Sequence, residues 1–452
     1  MRRHSGSWPL HLLVLLACFS LSTAALDRQP TADYHARRMA LAQKLGGGVA
    51  VIFAATESEG PNAVNGFRQD NNFYYLSGST EPGAALVVAP ALDKNASQAY
   101  TEMLFLPSRN PKQEKWTGPK LGPDDPQAPT VTGFEHVANL GSLSAEVAKL
   151  LGAGRPALYL DLPGSGEQNA ASNFLDWAHR ANTIPMRTAV SDVKPALAQL
   201  RVIKDAGEME RVRHATDASI AAYFAALKML KPGSNEHDVA TVMQYEFMKA
   251  GCERPAYAPI VGSGFDSTVL HYSADDNAIR DGDVVVMDVA GEYAMYASDI
   301  TRTAPANGKF TARQREIYAI VLSAQQAAMN AFRSGEYSLT GSKSLYKVAY
   351  DYINSHGRDL HGQSLGQYFI HGLGHYVGLE VHDVGDTKAN LGPGMVFTIE
   401  PGVYLPEEKI GVRIEDIYWV DANGKLVDLT AALPHTAEEV EAAMAGTYKP
   451  KS

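Results

Sequence analysis

Four acidic residues stand where an apolar strand would ordinarily bury another hydrophobic side chain. Val284-Val285-Val286-Met287 runs into Asp288, and Val396-Phe397-Thr398-Ile399 runs into Glu400; each acid lies six positions after a glycine, Gly282 or Gly394. A second carboxylate follows each, Asp299 in the first copy and Glu415 in the second. The repeat reads as two β-hairpins that deliver one acid per strand, and pseudo-symmetry between them would aim all four into one cavity. Buried carboxylates are rare unless paired, and four together repel strongly. They are therefore either separate salt-bridged acids or a group that shares divalent cations, two of which would neutralise four negative charges.

The segment HGLGHYVGLEVHD adds His371, His375 and His382. His371 and His375 have the i, i+4 spacing that places two zinc ligands on one helix face. Gly372, Gly374 and Gly378 make a helix costly here. The segment reads instead as a glycine-rich loop and strand whose backbone lies close to a ligand. A lone histidine is usually structural, but three within twelve residues, beside two acid-bearing hairpins, point to a site.

The elements that must position these groups fall into two halves. From residue 32 to about residue 195 the pattern is mixed α/β. A helix over residues 33–45 is followed by strand-like runs in GGGVAVIFAA, NNFYYLSG, AALVVAP, EMLFLP and ALYLD. Residues 110–129, rich in Pro, Gly and charge, read as a long surface loop carrying Trp116, and loops of that length are usually functional or disordered. A connector over residues 191–204 leads to an amphipathic helix at 208–229, stopped by Lys231-Pro232-Gly233, and a second at 236–250, stopped by Gly251. Beyond Asp281 strands dominate, with helices at 312–332 and 342–355.

Composition sets the outer bounds. The 452 residues carry 40 Lys+Arg against 50 Asp+Glu, a formal charge of −10, with 45% hydrophobic and 20% charged residues. This is globular material for two or three domains and excludes wholesale disorder, collagen and a multi-span membrane protein. No basic block exists to track phosphates, so nucleic acid is not an expected partner. Arg2 and Arg3, the run LHLLVLLACFSL and the small residues Ser22 to Ala25 form a secretory signal over residues 1–25. The run is too short to span a membrane comfortably. The mature chain is thus expected to be exported, periplasmic or secreted, and free of the membrane unless Cys18 is lipidated. Cys252 is then the lone cysteine, so packing must stabilise the fold without an intrachain disulfide.

RDGDVVVMDVAGEYAMYASDITRT, HGLGHYVGLEVHDVG, PGMVFTIEPGVY and GVRIEDI together resemble the proline-specific peptidases of the pita-bread metallopeptidase family. FRQDNNFYYLSGSTEPGAALVV and FLPSRNPKQEKWTG resemble the N-terminal half of the aminopeptidase P branch. The resemblance covers nearly the whole chain after the signal. It implies an α/β protein with an N-terminal mixed α/β domain of the creatinase/aminopeptidase P type over residues 27–195. A pseudo-symmetric pita-bread α+β catalytic domain would follow over residues 205–446.

By position, the resemblance places five metal ligands on Asp288, Asp299, His375, Glu400 and Glu415. It implies two divalent ions bridged by Asp299 and Glu415, with Asp288 on one ion and His375 and Glu400 on the other. Mn²⁺ is the expected ion, and Co²⁺ or Zn²⁺ suits the same donors. A water or hydroxide between the ions would have its pKa lowered towards ~7, with Glu400 as its proton acceptor. His371 joins the catalytic set, and His271 and His382 would hold the scissile carbonyl oxygen and the proline-side backbone. Arg413 would orient the bridging glutamate, Tyr257 would bond a bridging aspartate, and Tyr404 would line the proline pocket. The implied reaction releases the N-terminal residue from Xaa-Pro-Yaa peptides, in a homo-oligomeric enzyme, a dimer or tetramer. Prolidase, confined to Xaa-Pro dipeptides, is the alternative on this fold. A metal-free binding module or a creatinase-like hydrolase would show eroded ligands, and all five are present. The link from Glu400 to Glu415 is shorter than in many bacterial relatives, which bears on substrate length and not on the ligands.

Overall fold

The computed structural model describes residues 26–57, 65–92, 98, 100–164 and 167–450. The expected export signal over residues 1–25, with Cys18, lies outside the described residues.

Val49–Phe53 and Ala85–Val88 contain no polar residue and are buried almost throughout, as strands covered on both faces must be. They centre a six-stranded mixed sheet in the order Val137–Asn139, Glu102–Leu106, Ala85–Val88, Val49–Phe53, Ala157–Leu160, Ala189–Asp192. Val147, Leu150, Leu151 and Phe174, from the helices Leu143–Gly152 and Ala170–Arg180, close one face. The other face packs under the helix Thr31–Lys44 and is continuous with Val212, Tyr296, Val377 and Val396 of the second half.

Three segments differ from the sequence reading. NNFYYLSG, read as a strand, forms the helix Asn71–Ser77, in which every residue is buried. Asp70 Oδ1 accepts the Phe73 N–H at 2.8 Å and Gly78 closes the helix at φ 60°. These caps outweigh the β preference of the aromatic run. The connector is itself helical over Lys194–Arg201, with Pro195 in the first turn, where a missing N–H costs nothing. The long loop holds the short helix Glu114–Thr117, on which Trp116 stands 88% exposed.

In the second half two antiparallel ribbons carry the acids. Val284–Asp288 pairs with Thr301–Pro305, with Asp288 opposite Thr301, and Val396–Ile399 pairs with Asp416–Val420, with Ile399 opposite Asp416. Each ribbon therefore brings its two acids to the same end. The ends meet where the Glu415 N–H donates to the Thr301 carbonyl at 3.1 Å. The helices Ala206–Met229, Glu236–Lys249, Ala312–Ala331 and Leu345–Ser355 bury the outer faces in one apolar core.

The histidine segment is irregular, as its glycines require, but the expected strand reduces to isolated bridges from Tyr376 to Asp383 and to Phe397. Gly374 is needed for a close approach: a Cβ there would meet the Thr398 carbonyl oxygen at 2.1 Å. That approach seats the next residue, His375, beside the second ribbon.

Candidate metal centre

Both ribbon ends and the histidine loop open on one cavity of about 540 Å³. Asp288, Asp299, His375, Glu400 and Glu415 all line it, with Tyr257, His271, His371, His382 and Arg413. Tyr404, expected in the proline pocket, is not part of the wall. It is 2% exposed and lies behind His371, where its hydroxyl is fully engaged by other side chains.

Each acid accepts a hydrogen bond from a neighbouring side chain. Asp288 Oδ2 accepts from Arg413 Nη2 at 2.7 Å. The Tyr257 hydroxyl lies 2.7 Å from both Asp288 Oδ1 and Asp299 Oδ1, so one proton faces two carboxylates. Glu415 Oε2 accepts from the Thr301 hydroxyl at 2.6 Å, and Glu400 Oε1 from the Thr398 hydroxyl at 3.2 Å. Arg413 reaches Glu415 only through Thr301, to which its Nε donates at 3.2 Å. Thr301 and Thr398 were not singled out in the sequence. Each stands two residues from an acid, Asp299 or Glu400, and the two-residue period of a strand puts such pairs on one face.

His375 Nδ1 lies 3.1 Å from the Tyr376 carbonyl oxygen and donates to it. That tautomer turns Nε2 to Asp299 Oδ2 at 3.2 Å and Glu400 Oε1 at 3.4 Å. An outer nitrogen fixed by a carbonyl, with the inner one aimed at acids, is the posture of a metal-binding histidine. Asp299, His375 and Glu415 offer ligand atoms that all lie within 4.8 Å of one another.

The neutral side of the site has a consistent hydrogen-bond polarity. Arg413 Nη1 donates to the Tyr404 oxygen at 2.8 Å, the Tyr404 hydroxyl donates to His371 Nε2 at 2.8 Å, and His371 Nδ1 donates to the Gly372 carbonyl at 2.8 Å. Burial and the charge of Arg413 push the His371 pKa down to about 4, so it is neutral. His271 and His382 are exposed at the mouth, and the His382 ring centre stands 4.0 Å from that of His375. Burial and the neighbouring His375 lower the pKa of His382.

Charge in the cluster does not balance. Burial raises the pKa of Asp288 even beside Arg413, raises Glu400 to about 7, and raises Glu415 well above the carboxylate range, with Asp299 adding repulsion in each case. Burial opposes the charged form of His375, yet its bond to Asp299 and the charge of Glu400 hold its pKa up at about 9. Four acids face one guanidinium and one imidazole. Hard oxygen donors with a single imidazole and an excess of negative charge fit divalent cations.

A second group, not singled out in the sequence, also meets ligand distances: buried Asp416 with half-buried Asp428 and His435. Arg302 Nη2 donates to Asp416 Oδ1 at 2.6 Å and supplies positive charge to the group.

The chain is similar to known proteins along most of its length. Residues 210–422 match the model of metallopeptidase family M24, and residues 34–159 match that of the aminopeptidase P N-terminal domain. The chain is 33% identical to the Xaa-Pro aminopeptidase of Escherichia coli (strain K12) over 445 residues, covering 92% of this chain and 98% of that protein. Its fold is similar to that of proline aminopeptidase P II from Yersinia pestis, with a TM-score of 0.79 at 32% identity over 92% of this chain and 100% of that one. Aminopeptidase P from E. coli with the inhibitor Pro-Leu superposes with a TM-score of 0.80 at 31% identity, over 93% of this chain and 99% of that one.

Proposed function

The chain belongs to metallopeptidase family M24, in the branch with an aminopeptidase P N-terminal domain, and from that premise we propose how its residues divide the work. It is a metal-dependent Xaa-Pro aminopeptidase that hydrolyses the bond between an N-terminal residue and a penultimate proline. In our reading Asp288, Asp299, His375, Glu400 and Glu415 would hold two divalent cations. The observation that carries it is the charge imbalance: buried acids whose pKa values rise despite Arg413 and His375. Mn²⁺ suits this donor set, and Co²⁺ or Zn²⁺ is accommodated by it. When bound, such ions acidify water and stabilise negative charge on a carbonyl oxygen.

The chain's own groups supply the proton traffic and the grip. Glu400, with Oε1 tied to Thr398, takes the proton of the attacking water and passes it to the prolyl nitrogen as the C–N bond breaks. Proline offers no N–H and a fixed φ, so recognition must use the carbonyl and the ring. His271 and His382, at the mouth, present ring nitrogens to the scissile carbonyl oxygen and the proline-side backbone. Arg413 holds Asp288 directly and Glu415 through Thr301, and neutral His371 braces the opposite wall through Tyr404.

We extend the proposal to the organisation of the chain: an N-terminal domain over 27–195, a catalytic domain over 205–446, and export to the periplasm or medium with loss of 1–25. The two matched regions, 34–159 and 210–422, fall on either side of that division and support it. Assembly as a dimer or tetramer belongs to the same proposal.

A peptide panel assayed with metal content measured alongside tests the reading. Xaa-Pro-Yaa peptides should be cleaved, exhaustive chelation should abolish cleavage, and Mn²⁺ or Co²⁺ should restore it. Full activity after chelation overturns the mechanism, and cleavage confined to Xaa-Pro dipeptides makes the enzyme a prolidase.

A further inference from the structure

The loop that carries His382 is gripped from outside the catalytic half. Val381 and His382 face the cavity. The other side of the loop is bonded to residues before position 205. Arg68 Nη2 donates to the Leu379 carbonyl at 2.7 Å, and Asn71 Nδ2 donates to Glu380 Oε1 at 2.5 Å. Asp383, the residue after His382, is buried and accepts from Arg201 Nη2 at 2.5 Å and Lys204 Nζ at 2.9 Å.

These partners are themselves fixed. Arg68 Nε lies 2.9 and 3.0 Å from the two oxygens of Glu292, and Arg201 Nη1 donates to Asn72 Oδ1 at 2.8 Å. The side chains of Arg201, Lys204 and Asp383 are 3%, 0% and 1% exposed, so no solvent path lets the carboxylate swing away. The loop folds tightly over it: a Cβ on Gly378 would meet Asp383 Oδ2 at 2.2 Å. Two buried cations on one carboxylate bear on the residue next to the histidine at the cavity mouth. The attachments lie on both sides of His382 in sequence, at 379, 380 and 383, which fixes its backbone in position and in direction.

We propose that Arg201, Lys204, Arg68 and Asn71 are positioning residues for His382, so that the N-terminal half and the connector set turnover without touching substrate. The inference rests on the substrate-binding role given to His382 above. Misplacing a reacting partner by about 1 Å costs up to ~10²-fold, and loss of an outer partner of a site residue typically costs ~10–100-fold. Removing one cation from the pair should sit at the low end of that range, because the other remains.

A double-mutant cycle on the full-length, metal-loaded enzyme tests this. Lys204→Met should lower kcat/KM about tenfold and Asn71→Ala about threefold, mostly in kcat, with metal content and cooperative thermal unfolding retained. In a His382→Ala background each should change kcat/KM by less than about twofold, because the group being positioned is gone. Equal losses in both backgrounds overturn the proposal, since the clamp would then act on the whole enzyme and not through His382. If Lys204→Met does not fold, Asn71→Ala, which removes a single amide, carries the same cycle. Unchanged turnover in His382→Ala alone overturns the role of His382 itself, a failure separate from that of the clamp.

Discussion

Glu415 turns its carboxylate toward Asp299 and His375, whereas Asp416, the next residue, turns its own toward Arg302 and His435. On the Asp416 side Arg302 Nη2, Gln325 Nε2 and the Thr430 hydroxyl donate at 2.6, 2.8 and 2.5 Å, with His435 Nε2 at 3.4 Å. His435 is also 3.6 Å from Asp428, so two acids meet two cations. Burial there is overcome: Arg302 and His435 hold the Asp416 pKa far below the usual range, and Asp416 raises His435 to about 9. On the Glu415 side burial wins and the acids are pushed upward. Both groups satisfy metal-ligand distances, so proximity of acids and histidine does not distinguish them. Charge balance does. A guanidinium completes one cluster, and the other is left requiring cations.

The comparison breaks most sharply at turnover. Glu415→Gln should cost on the order of 10³-fold or more in kcat/KM together with bound metal if Glu415 is a metal ligand as proposed. Asp416→Asn, one residue away, should keep its metal stoichiometry by elemental analysis. Metal loss from Asp416→Asn, or its retention with full activity in Glu415→Gln, would erase the distinction. Stability should move the other way. Arg302→Met leaves Asp416 buried without its main partner and should destabilise the protein by about 3–5 kcal/mol in denaturant unfolding. Glu415→Gln relieves the cost of a buried carboxyl beside Asp299 and Glu400 and should raise the Tm of the chelated protein by about 1 °C, corresponding to ~1 kcal/mol.

The pH profile sharpens the contrast. Glu400 has a folded pKa of about 7 against an ordinary value of 4.5, so the chelated folded state holds the extra proton between them. Its contribution to stability is complete at low pH and is lost as pH rises through about 7. Asp416 has the opposite sign: its contribution is present above the ordinary carboxylate range and is lost only in strong acid. Glu208, buried between the halves, is also raised to about 7, so the diagnostic quantity is a difference between proteins. Between pH 5 and 7 chelated wild type should lose more stability than chelated Glu400→Gln, and saturating Mn²⁺ should remove that difference. Identical slopes would remove the buried-acid account of Glu400.

Much of this is legible in the sequence where local rules agree. A short apolar run with a glycine turn before it and an acid at its end reads as a strand with a polar tip, and both copies form one. The glycines of the histidine segment exclude a helix, and the backbone takes the irregular path they allow. Local rules conflict in NNFYYLSG, where aromatics read as strand while Asp70 and Gly78 cap a helix. Long-range partners leave no local trace. Arg302 meets Asp416 across 114 positions and Arg201 meets Asp383 across 182, so neither the balanced cluster nor the clamp on His382 has a spacing to find. Tyr404 belongs to the same class: a tyrosine after an acid-bearing strand reads as pocket wall, and only packing shows that it faces inward.

That residue provides the mildest test. Tyr404→Phe keeps the ring, its packing and the apolar volume, and removes only the oxygen between Arg413 Nη1 and His371 Nε2. Arg413 retains Asp288 and Thr301, so the acids stay in place and metal content should not change. One buried donor and one buried acceptor lose their partners, which should cost about 1–2 kcal/mol of stability. Turnover should fall only a few-fold, through a looser His371. Because Tyr404 stands behind the wall and not in it, KM for Xaa-Pro-Yaa peptides should be unchanged. A rise in KM larger than the fall in kcat would mean that the hydroxyl reaches substrate, and would place Tyr404 back in the proline pocket.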